Sequence, residues 1–586
     1  MRNQARHGGN ESVKCGMASN QPKPFPEKPA RKLRLDAETW VALLATAFSA
    51  VLLLLTAMHA GPLWRDEVNT INVAQMPTLH DLWHFLTCES FPPFYPLLLR
   101  CCSAIGLAGS DLSIRLLGLS VGWLVLGSFW LCARWLGGRV PTLSIALIGF
   151  LPAFIFIAGA NRAYGLATIL LVLSFASLWR LLQKPSRGRI LLAAVSCLLF
   201  AHCVYYDVFF LAAMLAGAAL VTWRRRQWRT LGWLVGIGAV SAGSLALYLP
   251  IVQAGSVYVP LLKWPYFSMN TLWDALRDAV TARSSSEPNR IGPEIRVWGM
   301  LVLAGAAAAA AAQVARPTAK SSPDLAAAAA RADRALYCLT SLFLGVAGLM
   351  YFLFQLQYWT QPWYYIEMLC LVAVALDGLL AADWPALFPW GGLRIVFLLA
   401  MMGWSLKAAW TEAHTRRSNL DLVAAVLTKQ AVAGDLIVVH SLWEGITFNR
   451  YYHGQTRWVT VPPIDSHQVH RTDLVFEKYN QPDPMAPVLA EITDTLRGGH
   501  NVWIVGNLVI TDPTASSSNP TTAVWLSSYF DWCAQVTTCL EKSARQVQDV
   551  KIPVTEPVNH LENLPVWEFQ GYKPDADRRP LSPTAP

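Results

Sequence analysis

The chain has 586 residues, of which 54% are hydrophobic and 15% are charged, whereas soluble domains carry about 25% charged residues. This balance indicates that lipid is the solvent for much of the chain and excludes a string of soluble domains. The net charge of +9 does not indicate nucleic-acid binding, because the cations cluster between apolar runs, as in residues 223–229. Such clusters are typical of cytoplasmic loops under the positive-inside rule.

The N-terminal segment and the first apolar run set the orientation that we expect. Residues 1–38 are polar and rich in proline and basic side chains, which predicts a disordered cytoplasmic tail rather than a cleaved signal peptide. The apolar run 40–59 has roughly 20 residues, enough to cross about 30 Å of hydrocarbon as a helix. Its basic leading flank predicts a cytoplasmic N-terminus, with the residues after 59 on the outer face.

Ten further apolar runs predict a membrane domain of about 11 transmembrane helices over residues 39–412. These runs are 112–136, 140–159, 163–182, 190–206, 208–223, 230–252, 295–312, 335–355, 362–380 and 391–410. The shorter run 93–107 is interrupted by Arg100, which predicts a helix along the membrane interface. Because the number of spans is odd, we expect the rest of the chain on the outer face.

Residues 413–586 predict an extracytoplasmic, periplasmic α/β domain with a flexible C-terminal end. Short apolar runs at 436–439 and 502–505 alternate with helical stretches, as expected for strands and helices in one domain. Neither run carries a glycine-rich nucleotide motif, so the domain is expected to be structural or to concern the acceptor. Cys533 and Cys539 lie here, where a disulfide could persist; the alternative is two free thiols.

Asp66 and Glu67 directly follow the first apolar run, where the chain leaves the hydrocarbon. A carboxylate in this position can take the proton from a hydroxyl or amine that attacks the anomeric carbon of a sugar. The alternative is a pair of hydrated acids at a helix exit. No cofactor is predicted; the two acids are hard oxygen ligands of the kind that divalent ions prefer, but two acids are weak evidence for a metal.

Three further motifs follow in a definite order: residues 90–95 (SFPPFY), residues 113–116 (SIRL) and residues 162–166 (RAYGL). Together with the acid pair, they resemble the GT-C-fold bacterial membrane glycosyltransferases, which are related to protein O-mannosyltransferases, lipid A aminoarabinose transferases and Rhizobium-type lipopolysaccharide core transferases. The resemblance is best over residues 40–225 and weaker through 410.

The resemblance implies an α-helical polytopic GT-C-like fold and transfer of a sugar from a polyprenyl-phosphate donor. The acceptor would be a lipid, glycan or protein at the outer face of the inner membrane. Asp66 would be the catalytic base or would orient the acceptor, and Glu67 would support it. The site would be a cavity between the Asp66 loop, the Arg162 end of a helix and the loop 253–294, covered by the C-terminal domain.

The other candidate binding residues have plain alternatives. Arg162 could hold the lipid phosphate bidentately, with Tyr164 beside it, or anchor a helix end at the interface. Arg115 could bind phosphate or only pack. His202 is an ionisable group near membrane depth, which favours a functional role but also fits a packing role. Tyr95 could line the pocket or belong to the interfacial aromatic belt.

Some residues depart from the pattern of the family. Phe91 stands where the family often has histidine or lysine, and Ala160 stands where it often has glutamate. These departures leave a divergent substrate or a catalytically inactive relative as alternatives. A transporter or lipid flippase is a further alternative, but it would predict charges at mid-membrane and an internal repeat, and the sequence shows neither.

Overall fold

The computed structural model describes residues 36–138, 140–259, 263–264, 267–281, 293–314, 323–381, 390–440, 442–507 and 524–571. The predicted tail lies outside these residues except for 36–38. The predicted flexible end from 572 onwards and parts of the loop 253–294 also lie outside them.

Nine helices within the described ranges are long and apolar enough to cross a membrane, so the chain is a multi-pass membrane protein. They are Ala37–His59, Asp111–Leu136, Ala163–Gln183, Asp207–Arg224, Trp228–Ser256, Glu294–Val314, Ala327–Leu356, Pro362–Leu379 and Gly392–Ala413. The predicted helical membrane domain is confirmed, with nine continuous candidate spans where the apolar runs predicted about 11.

The other two predicted spans are helical but do not form long continuous helices. The run 190–206 becomes the helix Arg187–Ala201, whose 15 residues extend over about 22 Å. The run 140–159 divides into Thr142–Ile148 and Pro152–Ile157. Pro152 explains the division, because proline lacks a backbone N–H and holds the residue before it, Leu151, in an extended conformation.

Three short helices follow the first span on the side of the acid pair: Arg65–Ala74, Leu79–Phe85 and Phe94–Ala104. We call Arg65–Ala74 the acid-pair helix. Phe94–Ala104 has 11 residues, so it is about 16 Å long and too short to cross the hydrocarbon, as the interfacial prediction requires. Between later spans, the amphipathic helix Met269–Val280 packs against the 3₁₀ turn Pro362–Tyr365.

The C-terminal domain is built on a five-stranded mixed sheet, as an α/β domain requires. Its strands are β1 Leu436–Val439, β2 Arg457–Thr460, β3 Val502–Val505, β4 Gln546–Val550 and β5 Val566–Gln570, in the order β2-β1-β3-β5-β4. β1 pairs in parallel with β2 and β3, and β5 is antiparallel to β3 and β4. The helices are Leu420–Gln430, Gly445–Tyr451, Thr472–Tyr479, Ala486–Arg497 and Val524–Ser543.

Helices cover both faces of the central strands, which explains why β1 and β3 are apolar at every position. Leu436 and Val438 face the helices Ala486–Arg497 and Val524–Ser543, whereas Ile437 and Val439 face the helix Leu420–Gln430. Strands buried on both faces read as continuous apolar runs rather than alternating ones.

The sequence left open whether Cys533 and Cys539 form a disulfide. Both are free thiols on one continuous helix, Val524–Ser543. Residues six apart on a helix are about 240° apart around its axis, so the two side chains lie on different faces. Cys533 is buried in the domain core, and the Cys539 thiol contacts Thr493 instead.

Candidate functional site

The acid-pair helix begins at a well-anchored residue. Trp64, just before its first turn, is buried with its ring 5.6 Å from that of Phe156 and 5.5 Å from that of Trp363. Acidic residues are favourable in a first helical turn because they face the positive end of the helix dipole. Since successive helical residues are about 100° apart, Asp66 and Glu67 point in different directions and meet different surroundings.

Glu67 points inward and is completely buried. Its carboxylate accepts hydrogen bonds from Arg115 Nη1 at 2.9 and 3.0 Å, from Arg417 Nη1 at 3.0 Å and from the Asn161 backbone N–H at 2.9 Å. Burial alone would raise the pKa of Glu67, but the two guanidinium groups outweigh it and lower the pKa below its ordinary value. Glu67 therefore joins four segments of the chain as a buried anion.

The contacts of Glu67 and Arg115 are those of supporting residues. Glu67 was expected to support Asp66, and its carboxylate is sealed, with both oxygens accepting hydrogen bonds. Arg115 was expected to bind phosphate or only to pack, and its Nη1 donates to Glu67 while its Nη2 donates to the Pro62 carbonyl oxygen at 2.6 Å. Both residues hold the acid-pair helix against the membrane helices.

Asp66 is held quite differently, and about a quarter of its side chain (26%) is exposed. Its carboxylate lies 3.5 Å from His470 Nε2, 3.8 Å from Arg65 Nε and 3.9 Å from Arg162 Nη2. Burial alone would raise the pKa of Asp66, but Arg162, His470 and Arg65 lower it well below its ordinary value. Asp66 is thus an ionised, part-exposed acid whose contacts with these three side chains are all 3.5 Å or longer.

Arg162 lies beside Asp66 but is less available than the sequence suggested. Its Nη1 donates to Glu89 Oε1 at 3.0 Å, to Thr70 Oγ1 at 2.6 Å and to the Asp66 carbonyl oxygen at 3.0 Å. The side chain is 5% exposed, and these three bonds occupy Nη1. The Nη2 edge, which faces Asp66, is the part of Arg162 directed at the site.

The two departures from the family pattern have structural explanations. The Phe91 ring lies 4.3 Å from the Arg162 guanidinium carbon, a cation–π contact that a lysine at this position would replace with repulsion. Ala160 cannot pair with Arg162, and Glu89 supplies the carboxylate that pairs with it instead. Both departures are therefore compatible with an ordered Arg162.

The predicted tyrosines lie inside the protein near this cluster. Tyr164 is buried, with its ring 5.1 Å from that of Phe91 and 6.1 Å from that of Tyr364. Tyr95 is also buried, and its hydroxyl has no hydrogen-bond partner among the described residues. The pKa of the Tyr95 hydroxyl is raised by burial, so it stays protonated. Neither hydroxyl is at an open surface.

His202 is not brought to Asp66. Its Nδ1 lies 2.5 Å from the Tyr248 hydroxyl, and its Nε2 lies 2.9 Å from Ser244 Oγ, both on the span Trp228–Ser256. Burial lowers the pKa of His202, which favours a neutral ring. These contacts fit the packing alternative, and a substrate contact of His202 stays a prediction.

The C-terminal domain covers the acid-pair helix through charged contacts. Arg65 Nη1 donates to Glu444 Oε1 at 2.6 Å, and the Arg65 backbone N–H donates to Glu562 Oε1 at 2.8 Å. Glu562 is fully buried, and this burial raises its pKa to about 8. These contacts join the C-terminal domain to the first turn of the acid-pair helix.

Further contacts fix the same interface from two sides. Asp111, at the start of a span, accepts hydrogen bonds from Arg450 and from the Tyr451 hydroxyl, each at 2.5 Å. The Tyr451 hydroxyl in turn accepts from the Leu63 backbone N–H at 2.8 Å. The site therefore lies between two firmly joined parts of the protein.

A metal site is not apparent in the parts of the chain that the structure describes. No group of three or more His, Cys, Asp or Glu side chains there has a spacing that could hold a metal ion. We assign no metal ligand.

No family model and no curated protein matches the sequence. Among solved structures, ArnT from Cupriavidus metallidurans bound to undecaprenyl phosphate is 16% identical, with a TM-score of 0.37 over 80% of this chain and 93% of that one. The Archaeoglobus fulgidus oligosaccharyltransferase in its apo form is 12% identical, with a TM-score of 0.45 over 80% and 69%. AglB from the same organism, with an inhibitory peptide and a dolichol-phosphate, is 10% identical, with a TM-score of 0.42 over 80% and 70%.

The structures found are of GT-C membrane glycosyltransferases, the class that the sequence resembles. Because every one of these TM-scores is below 0.5, the likeness carries no weight in the functional proposal, which rests on the site itself.

Four residues of the site were missed by the sequence analysis: Arg65, Glu89, Arg417 and His470. Arg65 and Glu89 each adjoin a motif that had been noticed, so the motifs contained a signal for them. Arg417 and His470 reach the acid pair from positions 350 and 404 residues further along the chain, and spacing in the sequence gives no signal for such contacts.

Proposed function

We propose that the protein is a glycosyltransferase that moves a hexosyl or pentosyl group from polyprenyl phosphate to an acceptor. Asp66 serves as the base or orients the acceptor. The observation that carries this proposal is the contrast between the two neighbouring acids. Glu67 is sealed and saturated, whereas Asp66 is ionised, part-exposed and loosely held at the junction of the helix bundle and the C-terminal domain.

The charges around Asp66 suit this chemistry. A sugar leaving group attached through phosphate departs as an anion, so it needs cations rather than a proton donor. Arg65 and the Nη2 edge of Arg162 lie 3.8 and 3.9 Å from the Asp66 carboxylate and are the nearest cations. The acceptor hydroxyl or amine gives up its proton as it attacks the anomeric carbon, and a carboxylate at this point can receive it.

The positions of the basic residues support the orientation that we propose. The Asp66 end is marked by the N-terminal ends of the spans Asp111–Leu136 and Ala163–Gln183, where Arg115 and Arg162 are paired with acids. The opposite ends of these spans carry Arg134 and Arg180 in their last turns. We assign the Arg134 end to the cytoplasm and the Asp66 site to the periplasmic face of the inner membrane, with the N-terminus inside.

The domain assignment completes the proposal: residues 39–412 form the catalytic membrane domain, and residues 413–586 form a periplasmic domain that covers the site. The acceptor approaches from the water side between the two domains, and the prenyl chain of the donor stays in lipid.

The test uses the full chain in lipid nanodiscs. Undecaprenyl phosphate carrying a labelled hexose or pentose is supplied with a bacterial envelope extract as acceptor, and released undecaprenyl phosphate and labelled product are measured. We expect release with at least one sugar, and an Asp66→Asn variant that keeps donor binding but loses turnover by 100-fold or more, as removal of a general base does (about 10²–10⁴-fold).

The matched control is Glu556→Gln, which removes an acid about a third exposed at the domain interface and away from Asp66. We expect this variant to keep near-normal turnover. Absence of release with every donor, or full turnover in Asp66→Asn, overturns the proposal. The first result is also what a transporter would give, because a transporter does not break the bond between sugar and phosphate.

A further inference from the structure

Two turns at the end of the helix bundle opposite the Asp66 site carry four exposed basic side chains that form no ion pair among the described residues. We call these residues the cationic surface: Lys184, Arg187, Arg226 and Arg229. The first two lie where the helix Ala163–Gln183 gives way to the helix Arg187–Ala201. The other two lie just after the span Asp207–Arg224.

The two turns are joined to each other. Arg225 Nη1, in the second turn, donates to the carbonyl oxygen of Leu182, beside the first turn, at 2.6 Å. The helices that follow the two turns, Arg187–Ala201 and Trp228–Ser244, also pack against each other. The four exposed charges therefore share one end of the bundle rather than lying on separate loops.

Neighbouring basic side chains are used to hold the helices together. Arg224 and Arg225 both pair with the buried carboxylate of Asp333, at 3.6 and 2.7 Å. The guanidinium carbon of Arg180 lies 4.5 Å from the centre of the Trp135 ring, a cation–π contact. The positive-inside rule requires only that basic residues lie near these helix ends. The structure divides them into a group with internal partners and a group that faces outward.

The outward-facing charges have no counter-charge from their own stretch of the chain. Between Asp111 and Asp274, the sequence contains a single acidic residue, Asp207. Asp207 is completely buried and begins the span Asp207–Arg224, so it lies at the end of that span away from the cationic surface. The cationic surface is therefore open to an anion from outside the protein.

Two tryptophans indicate that this anion belongs to the membrane. Trp223 and Trp228 are 65 and 56% exposed, and their rings meet edge to face with 5.4 Å between centroids. Exposed tryptophan rings are typical of the headgroup level of a bilayer. Arg226, which lies between them in the chain, has a φ of +55°, in the left-handed region that favours glycine. The turn thus carries an exposed cation at headgroup level at a position where glycine would relieve backbone strain.

We propose that the cationic surface binds the phosphate headgroups of anionic phospholipids. Basic side chains next to membrane helices attract such lipids, and the effect adds up over the cations of one cluster. The exposed tryptophan pair favours a lipid headgroup over an anion in solution or an acidic protein. The inference is independent of the reaction proposed for Asp66, because the two sites lie at opposite ends of the bundle.

The experiment measures lipid binding to the full chain, purified in detergent, by native mass spectrometry. Phosphatidylglycerol and phosphatidylcholine with the same acyl chains are titrated separately, so that only the headgroup differs. The test variant changes all four residues of the cationic surface to glutamine. The matched control changes four exposed basic residues of the C-terminal domain to glutamine and lowers the net charge equally: Lys429, Arg497, Lys542 and Lys551.

A second variant, Arg226→Gly, guards against misfolding of the fourfold one. It removes one cation and introduces the residue that suits the positive φ, so the fold should be kept. We expect wild type and the matched control to bind phosphatidylglycerol more tightly than phosphatidylcholine. Arg226→Gly should bind phosphatidylglycerol about fivefold more weakly than wild type, and the fourfold variant should lose the preference.

Three results would overturn the proposal. The first is equal binding of the two lipids by wild type, which would leave the surface to a soluble or protein partner. The second is a headgroup preference that the fourfold variant and Arg226→Gly both retain. The third is an equal loss of preference in the matched control, which would show an effect of net charge rather than of a site.

Discussion

Replacing Glu67 with glutamine should destabilise the protein far more than replacing its neighbour Asp66 with asparagine. Glu67→Gln preserves the shape of the side chain but removes the anion between Arg115 and Arg417. The side chains of Glu67, Arg417 and Arg115 are 0, 3 and 8% exposed, so solvent cannot compensate for the loss. Two buried guanidinium groups would then face each other without the anion that both contact.

The structure sets the size of this effect. Breaking a buried ion pair by removing one partner costs roughly 3–5 kcal/mol, whereas surface pairs contribute about 0–1 kcal/mol. We therefore expect a loss of at least about 3 kcal/mol in the free energy of unfolding of Glu67→Gln, which is more than a hundredfold in the unfolded-to-folded ratio. Asp66→Asn, with contacts of 3.5 Å or longer, should stay within about 1 kcal/mol of wild type.

The assay is equilibrium unfolding by SDS titration in mixed micelles, with tryptophan emission as the signal and both variants purified in parallel. Arg115→Met added to Glu67→Gln should recover part of the loss, because it removes one of the two unpaired cations. A loss below 1 kcal/mol in the free energy of unfolding of Glu67→Gln, or an equal loss in Asp66→Asn, would refute the assignment of Glu67 as the structural anion and Asp66 as the reactive one.

Two further predictions concern other buried acids. Burial raises the pKa of Glu562 to about 8, so the folded protein keeps the Glu562 carboxyl protonated at pH values where the unfolded chain, above about pH 4.5, has released this proton. The free energy of unfolding should therefore decrease as the pH rises from 4.5 to 8. The decrease amounts to at most roughly 5 kcal/mol, and Glu562→Gln should abolish it. Unfolding titrations of both proteins at pH 5 and pH 8 test this prediction, and a pH dependence that is unchanged in Glu562→Gln would contradict it. Glu367 is fully buried, and neither of its carboxylate oxygens has a hydrogen-bond partner among the described residues. Glu367→Gln breaks no described hydrogen bond and should therefore stay within about 1 kcal/mol of wild-type stability in the same SDS titration, and a loss near that of Glu67→Gln would contradict this prediction.

The helices were predictable because each apolar run carries its own signal. The run 40–59 became the span Ala37–His59, and the run 436–439 became β1 at the same residues. The run 140–159 showed the limit of that signal, since hydropathy does not register the backbone restriction that Pro152 imposes.

The site was predictable only in part. Asp66 and Arg162 were expected near each other, and the structure has their side chains 3.9 Å apart. The sequence could not show that Glu67 is a buried ion-pair partner while Asp66 is part-exposed. The difference depends on the direction in which each side chain points and on Arg417, which lies 350 residues away. For the same reason, the sequence left open whether Arg115 binds phosphate or packs, since its partner is the second acid of the pair.

Mass spectrometry of lipid and glycan extracts tests the central claim most directly. The extracts come from cells that produce the wild-type protein, from cells that produce Asp66→Asn, and from cells that lack the protein. The account predicts a sugar modification of the envelope with wild type alone, and matching accumulation of the polyprenyl-phosphate sugar in the other two. An Asp66→Asn extract identical to that of wild type would contradict it.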